Sequence, residues 1–204
     1  NLTYNLETYA QAGLGGVEIT PIYGVQGNDA HEIPFLSPDW MRMLQHTRSE
    51  CKRLGMETDM NAGTGWPFGG PMISLENAAT KAIFREYAAK GGERLRTAIE
   101  AEDRKQRDVA NLSRLMAFSD KGERIDITSK VKNNRLDWTG PAGNWRLIAL
   151  FCGKTFQQVK RAAPGGEGYV MDHFSRNAVK QYFATFEQAF RENKVPYPHA
   201  FFND

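Results

Sequence analysis

Apolar positions recur at two different periods along this chain, and the change of period divides it. In "NLTYNLETYAQAG", Leu2, Leu6 and Tyr9 fall on one helical face, and Gly13 stands where such a helix stops. "GGVEITPIY" (15–23) then reads as a strand closed by Pro21. "SPDW" opens a second helix, with Ser37 as N-cap, Pro38 in the first turn and Asp39 at the positive end of the dipole. Met41, Leu44, Cys51 and Leu54 carry its buried stripe up to Gly55. "METDMN" (56–61) is the next strand. Beyond a glycine-rich stretch, Ser74 can cap a third helix through about Tyr87.

From about residue 88 the pattern shortens to alternating runs, "LSRLMAF", "RIDITSKV", "WRLIALF" and "QQVKR", parted by the turn signals "DKG", "PAG" and "PGG". An antiparallel β-module over 88–171 is expected, with "EAEDRKQRD" (100–108) as a solvated loop or short helix. Helical period returns after "MDHFS": Ser175 caps, and Val179, Tyr182, Phe183, Phe186 and Phe190 form the stripe. "HAFFND" ends the chain as a strand. Residues 1–87 and 172–204 thus alternate helix and strand, which implies a parallel sheet, either doubly wound or a (β/α)8 barrel. An opening inside a helix and a bare apolar strand at the end read as a piece of a larger protein.

Composition narrows the function. Of 204 residues, 41% are hydrophobic and 25% charged, an ordinary globular balance. A net charge of +2 gives no electrostatic reason to expect nucleic acid or an anionic membrane as partner. No apolar run approaches the ~20 residues that span a bilayer, and no signal peptide lies in this stretch, which opens inside a helical pattern and leaves room for one upstream. Cys51 and Cys152 show no metal-ligand spacing and read as two packed thiols.

Candidate chemistry gathers where strands end, because ligands of parallel α/β folds bind at the carboxyl ends of strands. In "DMNAGTGWPFGGP" (59–71), Glu57, Asp59 and Asn61 share one strand face. If Met56, Thr58 and Met60 face the surrounding helices, these three polar side chains point into the barrel. The glycines that follow allow close approach to a ligand, and Trp66 offers a flat face for stacking on a sugar ring or a plug for the rim. The stretch lacks the Gly-Lys-Ser/Thr ending of a phosphate loop. Asp172 and His173 in "MDHFS" can hydrogen-bond sugar hydroxyls, or serve as a helix-entry Asp and a packed His. Asn203 and Asp204 close the last strand. His31, His46 and His199 show no metal spacing and read as surface or satisfied core groups.

Four stretches, "GLGGVEITPIYG", "FLSPDWMRML", "LGMETDMNAGTGWPFGGP" and "MDHFS", together resemble the α-L-rhamnosidases of glycoside hydrolase family 106. The resemblance implies an α/β fold in which 1–87 and 172–204 are parts of one (β/α)8 catalytic barrel and 88–171 is an inserted β-module, the rest of the barrel lying elsewhere in the protein. It implies inverting release of L-rhamnose from plant polysaccharides or glycoconjugates, calcium at the active site, and a periplasmic or cell-surface location. Asp59, Asn61, Trp66, Asp172, His173 and Asn203 carry over as substrate-binding candidates. Glu18 and Glu57 sit within strands, so the catalytic acid and base are expected beyond Asp204. Two alternatives remain: a barrel glycosidase of another sugar specificity, and a non-catalytic carbohydrate-binding protein.

Overall fold

A computed structural model of the chain describes residues 2–202. It comprises two compact units, Asn1–Ala79 with Phe156–Asp204, and Thr80–Thr155. In chain order the elements of the first unit begin with α1 (Leu2–Gln11), β1 (Gly16–Ile19), α2 (Pro38–Arg53), β2 (Glu57–Asn61) and β3 (Gly69–Gly70). The second unit holds β4 (Thr80–Lys90), β5 (Arg94–Ala98), β6 (Asn111–Ser119), β7 (Arg124–Asp126), β8 (Val131–Lys132), β9 (Arg135–Thr139) and β10 (Asn144–Lys154). The chain then returns to the first unit with β11 (Tyr169–Val170), α3 (Arg176–Glu192) and β12 (Phe201–Phe202).

Local chemistry sets the helix ends. Ser37 takes a β-region backbone and its Oγ accepts from the Trp40 N–H at 3.2 Å, with Pro38 opening α2. Ser175 does the same for α3 through the Ala178 N–H at 3.3 Å. Gly13 adopts φ +85°, the left-handed conformation that ends a helix without a Cβ clash.

The (β/α)8 barrel expected from the alternation is not the fold of these residues. The helix–strand order of the first unit produces parallel pairing in an open three-stranded sheet, β1-β2-β12. Three strands do not close on themselves, and no closed barrel is present among the described residues. Elsewhere the strands pair antiparallel: β3 with β11, and all those of the second unit. The helix expected from Ser74 through Tyr87 is likewise absent. Thr80–Lys90 is an 11-residue strand whose Ile83, Arg85, Tyr87 and Ala89 turn inward and whose Phe84, Glu86 and Ala88 turn outward.

In the first unit one face of the parallel sheet is covered. Met60, Met41, Leu44, Tyr182 and Phe186 form one apolar cluster, and Leu6, Cys51 and Met56 a second. At ~25 cal/mol per Å² of apolar surface removed from water, such burial is the main force holding helices to sheet.

The second unit folds around its own core. Two antiparallel sheets, β4-β10-β6-β7 and β5-β9-β8, surround Leu115, Leu136, Leu147, Phe151 and the edge-to-face pair Trp138–Trp145, whose ring centroids lie 5.7 Å apart. The charged run 100–108 carries one buried polar residue, Gln106, whose amide donates to the Lys154 carbonyl at 2.7 Å and accepts from the Lys154 N–H at 3.0 Å. That pair of bonds satisfies both ends of a side chain otherwise costly to bury.

Candidate carbohydrate site

The parallel register fixes what the uncovered sheet face presents. Met56, Thr58 and Met60 are buried at 5%, 5% and 0% exposure, so the alternate positions of β2 point the other way. Glu18 of β1 stands directly beside Asp59 of β2, and Phe202 of β12 beside Asn61. Neighbouring strands lie ~4.8 Å apart, so same-register side chains on one face are neighbours.

Asp59 is half-buried, and its Oδ1 accepts from the Ala200 N–H at 3.0 Å. The same oxygen lies 3.0 Å from Nδ1 of His199. Glu18 accepts from the Thr20 hydroxyl at 3.0 Å. The sheet therefore presents two carboxylates and an imidazole side by side, each oriented by a near neighbour. In the sequence His199 reads as a lone histidine. Its partner is 140 residues away, and only the pairing of β12 with β2 brings them together.

Asn61 has a different role from Asp59. It is buried at 3% exposure, and its Oδ1 accepts from the Gly63 N–H at 2.7 Å, an Asx-type turn that starts the loop. The next carbonyl, of Ala62, accepts from the Tyr182 hydroxyl at 2.6 Å, which ties the loop to α3. Burial pushes the Tyr182 phenol well above its usual range, so it remains a protonated donor.

Trp66 is partly buried and pairs by backbone with Lys160: the Trp66 N–H donates to the Lys160 carbonyl at 3.0 Å, and the Trp66 carbonyl accepts from the Lys160 N–H at 2.8 Å. Further along, Gly69 and Gly70 pair with Val170 and Tyr169, and the Met171 N–H donates to the Phe68 carbonyl at 2.9 Å. The glycine-rich stretch and "MDHFS" are thus joined edge to edge. This also explains the glycines. A Cβ on Gly65 would lie 2.3 Å from the Lys160 carbonyl oxygen, and one on Gly69 2.1 Å from that of Tyr169. Close approach is needed, as expected, but the approaching group at these positions is the chain's own backbone.

Asp172 is half-buried; its Oδ1 accepts from the Phe174 N–H at 3.0 Å and its backbone N–H donates to the Asn77 carbonyl at 2.9 Å. It shapes the entry to α3. His173 is exposed beside it, and Phe174 is fully exposed. Asn203 and Asp204 lie outside the described residues.

Among the described residues, no three of His, Cys, Asp and Glu stand close enough to hold a metal ion. These side chains do not by themselves supply the six to eight oxygens that calcium takes. A hollow of about 680 Å³ lies at the amino end of β2, lined by Arg48, Lys52, Glu57, Tyr197 and His199 among others, away from the glycine-rich loop. No helix among the described residues is long and apolar enough to cross a membrane.

A rhamnosidase from Novosphingobium sp. PP1Y has a similar fold, with a TM-score of 0.65 at 14% identity, covering 96% of this chain and 35% of that one. A Formosa agariphila protein named "Putative beta-glucuronidase" is 25% identical over 207 residues, covering 82% of this chain. The chain spans 18% of that relative's length. The sequence profile of the alpha-L-rhamnosidase family, glycoside hydrolase family 106, matches residues 1–122 and 101–197. With nearly the whole chain inside those matches, it belongs to glycoside hydrolase family 106.

Proposed function

We propose that the protein containing this chain is an α-L-rhamnosidase that hydrolyses terminal L-rhamnose from plant polysaccharides or glycoconjugates with inversion. The match of the family profile across the chain carries the reading. The site is consistent with it. A polar sheet face bearing Glu18, Asp59 and His199 runs toward a loop that carries a tryptophan, and carboxylates with imidazoles accept from and donate to sugar hydroxyls. Asp59 and His173 bind hydroxyls, Trp66 stacks on the ring, and Asn61 and Asp172 hold the two loops that carry them. Inversion needs an acid and a base ~6.5–9.5 Å apart with water between. Glu57 opens β2 at its amino end, and Glu18 stands within β1 and accepts from Thr20, so we place that pair outside these residues.

A second reading follows from the Formosa agariphila relative, whose name points to a uronic acid glycoside. The whole protein, assayed with aryl α-L-rhamnoside and aryl β-D-glucuronide, separates the two. Hydrolysis of the rhamnoside, with β-L-rhamnose as the first sugar seen by NMR, supports the proposal. Hydrolysis of the glucuronide alone overturns it.

Trp66→Ala tests the stacking role. Loss of the ring's apolar contact should lower kcat/KM on the aryl rhamnoside by about 1–3 kcal/mol, roughly thirtyfold in the middle of that range. The melting temperature should change little. A large drop in melting temperature with unchanged kinetics would show that the ring plugs the rim.

A further inference from the structure

The larger sheet of the second unit has a face that its own core does not use. Alternation along β10 sends Trp145, Leu147, Ala149 and Phe151 to the core, and Arg146, Ile148, Leu150 and Cys152 to the other side. The register carries that second face across the sheet. Leu150 stands beside Phe84 of β4, and Ile148 beside Met116 of β6. Phe118 of β6 lies between Arg146 of β10 and Arg124 of β7. Neighbouring strands lie ~4.8 Å apart, so these side chains form one continuous surface. Among the described residues, none of Phe84, Met116, Phe118, Ile148 and Leu150 belongs to an apolar cluster, and Phe84 is 67% exposed. An antiparallel sheet with one face in water alternates apolar and polar residues, whereas β10 is apolar at every position over 147–151, the pattern of a strand covered on both sides. At the Phe118 end, Arg124 and Arg146 are exposed and make no ion pair within 4.0 Å among the described residues. A hollow of about 350 Å³ opens there, lined by Phe118, Asp120 and Arg146 among others.

We propose that in the whole protein this face is covered by another surface of the same polypeptide, apolar at its centre and carrying a carboxylate opposite Arg146 and Arg124. Aromatic residues, methionine and arginine are the types enriched at protein interfaces. Ile148, Leu150 and Met116 offer a saccharide no flat ring and no hydrogen bond. This chain spans 35% of the Novosphingobium rhamnosidase and 18% of the Formosa relative, so most of the length of such proteins lies outside it. A surface tethered to the same chain acts at an effective concentration on the order of millimolar, well above that of a second copy in dilute solution. Such an interface is independent of which glycoside the protein cleaves. Cys152 lies on the same face, beside Ala82, and is exposed in this chain although its sequence pattern reads as a packed thiol. The cover would bury it.

Cys152 therefore reports on the cover. The whole protein is treated with N-ethylmaleimide, and the peptide bearing Cys152 is followed by mass spectrometry. Cys152 of the native protein should react at least about tenfold more slowly than that of the denatured protein, and the protection should not change with protein concentration. Reaction at the denatured rate overturns the cover. Protection that is lost on dilution assigns the face to a second copy and overturns its assignment to the same polypeptide. Phe84→Glu and Arg146→Glu should each raise the rate, while Phe84→Leu and Arg146→Lys should keep most of the protection. Both positions project away from the core of the second unit, so its fold should survive the changes. Slow hydrogen exchange of the β10 amides checks that the sheet is intact; a variant that loses it is set aside, and the other is read. Protection of Cys152 that persists in an intact Phe84→Glu or Arg146→Glu protein overturns this face as the contact.

Discussion

Gly69→Ala should destabilise the protein by an amount at the upper end of the ~1–3 kcal/mol typical of overpacking, and should lower activity with it. The added Cβ would lie 2.1 Å from the Tyr169 carbonyl oxygen and 2.7 Å from the Val170 Cα. Both are backbone atoms of β11, so no side chain can rotate out of the way. Relief requires β3 and β11 to separate, which breaks the Gly69–Val170 and Gly70–Tyr169 pairing and loosens the joint between the glycine-rich loop and the segment carrying Asp172 and His173. Gly15→Ala is the control: its Cβ would meet nothing within 4 Å, and its φ lies outside the left-handed range, so the change should stay within about 0.5 kcal/mol. Thermal unfolding of the whole protein reads both variants. Equal melting temperatures for the two would show that the β3–β11 contact yields more easily than its geometry implies.

What was legible in the sequence was local. Ser37, Pro38 and Ser175 announce helix starts because a cap depends on residues within one turn. The inward-facing Tyr182 and Phe186 of α3, and the burial of Met56, Thr58 and Met60 on β2, follow from periods of 3.6 and 2 read directly off the residues. The strand Thr80–Lys90 was not legible. Ile83 and Tyr87 are four apart, a spacing that lies on one face of a helix and on one face of a strand alike. Only the pairing partner β10, whose first residue lies 64 positions beyond the first of β4, decides between them. The barrel failed for a related reason. Alternation of helix and strand predicts that neighbouring strands run parallel, but says nothing of how many strands join or whether the sheet closes. At the site, the strand face of Asp59 could be read from its neighbours. The partners His199 and Lys160 could not, because each is set by a contact between distant segments. The glycines mark close approach, yet what approaches Gly65 and Gly69 is residues 160–170, which no local rule reveals.

Tyr182 is the residue whose loss should be felt in both fold and site. It is fully buried and carries a hydroxyl that donates to the Ala62 carbonyl, one residue past β2. Its ring lies 6.1 Å from that of Phe68 in a stacked arrangement and 5.2 Å from that of Phe186. Tyr182→Ala removes a buried aromatic ring and leaves a cavity, a change that costs ~3–5 kcal/mol. That is a large part of the ~5–15 kcal/mol by which a domain is stable, so the variant should express poorly or melt far below the unaltered protein. Tyr182→Phe separates the hydroxyl from the ring. Packing is kept, while the buried Ala62 carbonyl loses this donor, at a cost of about 1–3 kcal/mol. The loop that begins at Asn61 is held at its start by this bond and by the Asn61–Gly63 turn. Tyr182→Phe should therefore let that start move and displace Trp66 relative to Asp59. The expected signature in the whole protein is a fall in kcat/KM on aryl α-L-rhamnoside at a temperature where circular dichroism shows the fold intact. Retention of full activity together with a melting temperature unchanged from the parent would show that the Tyr182 hydroxyl contributes nothing to holding the loop.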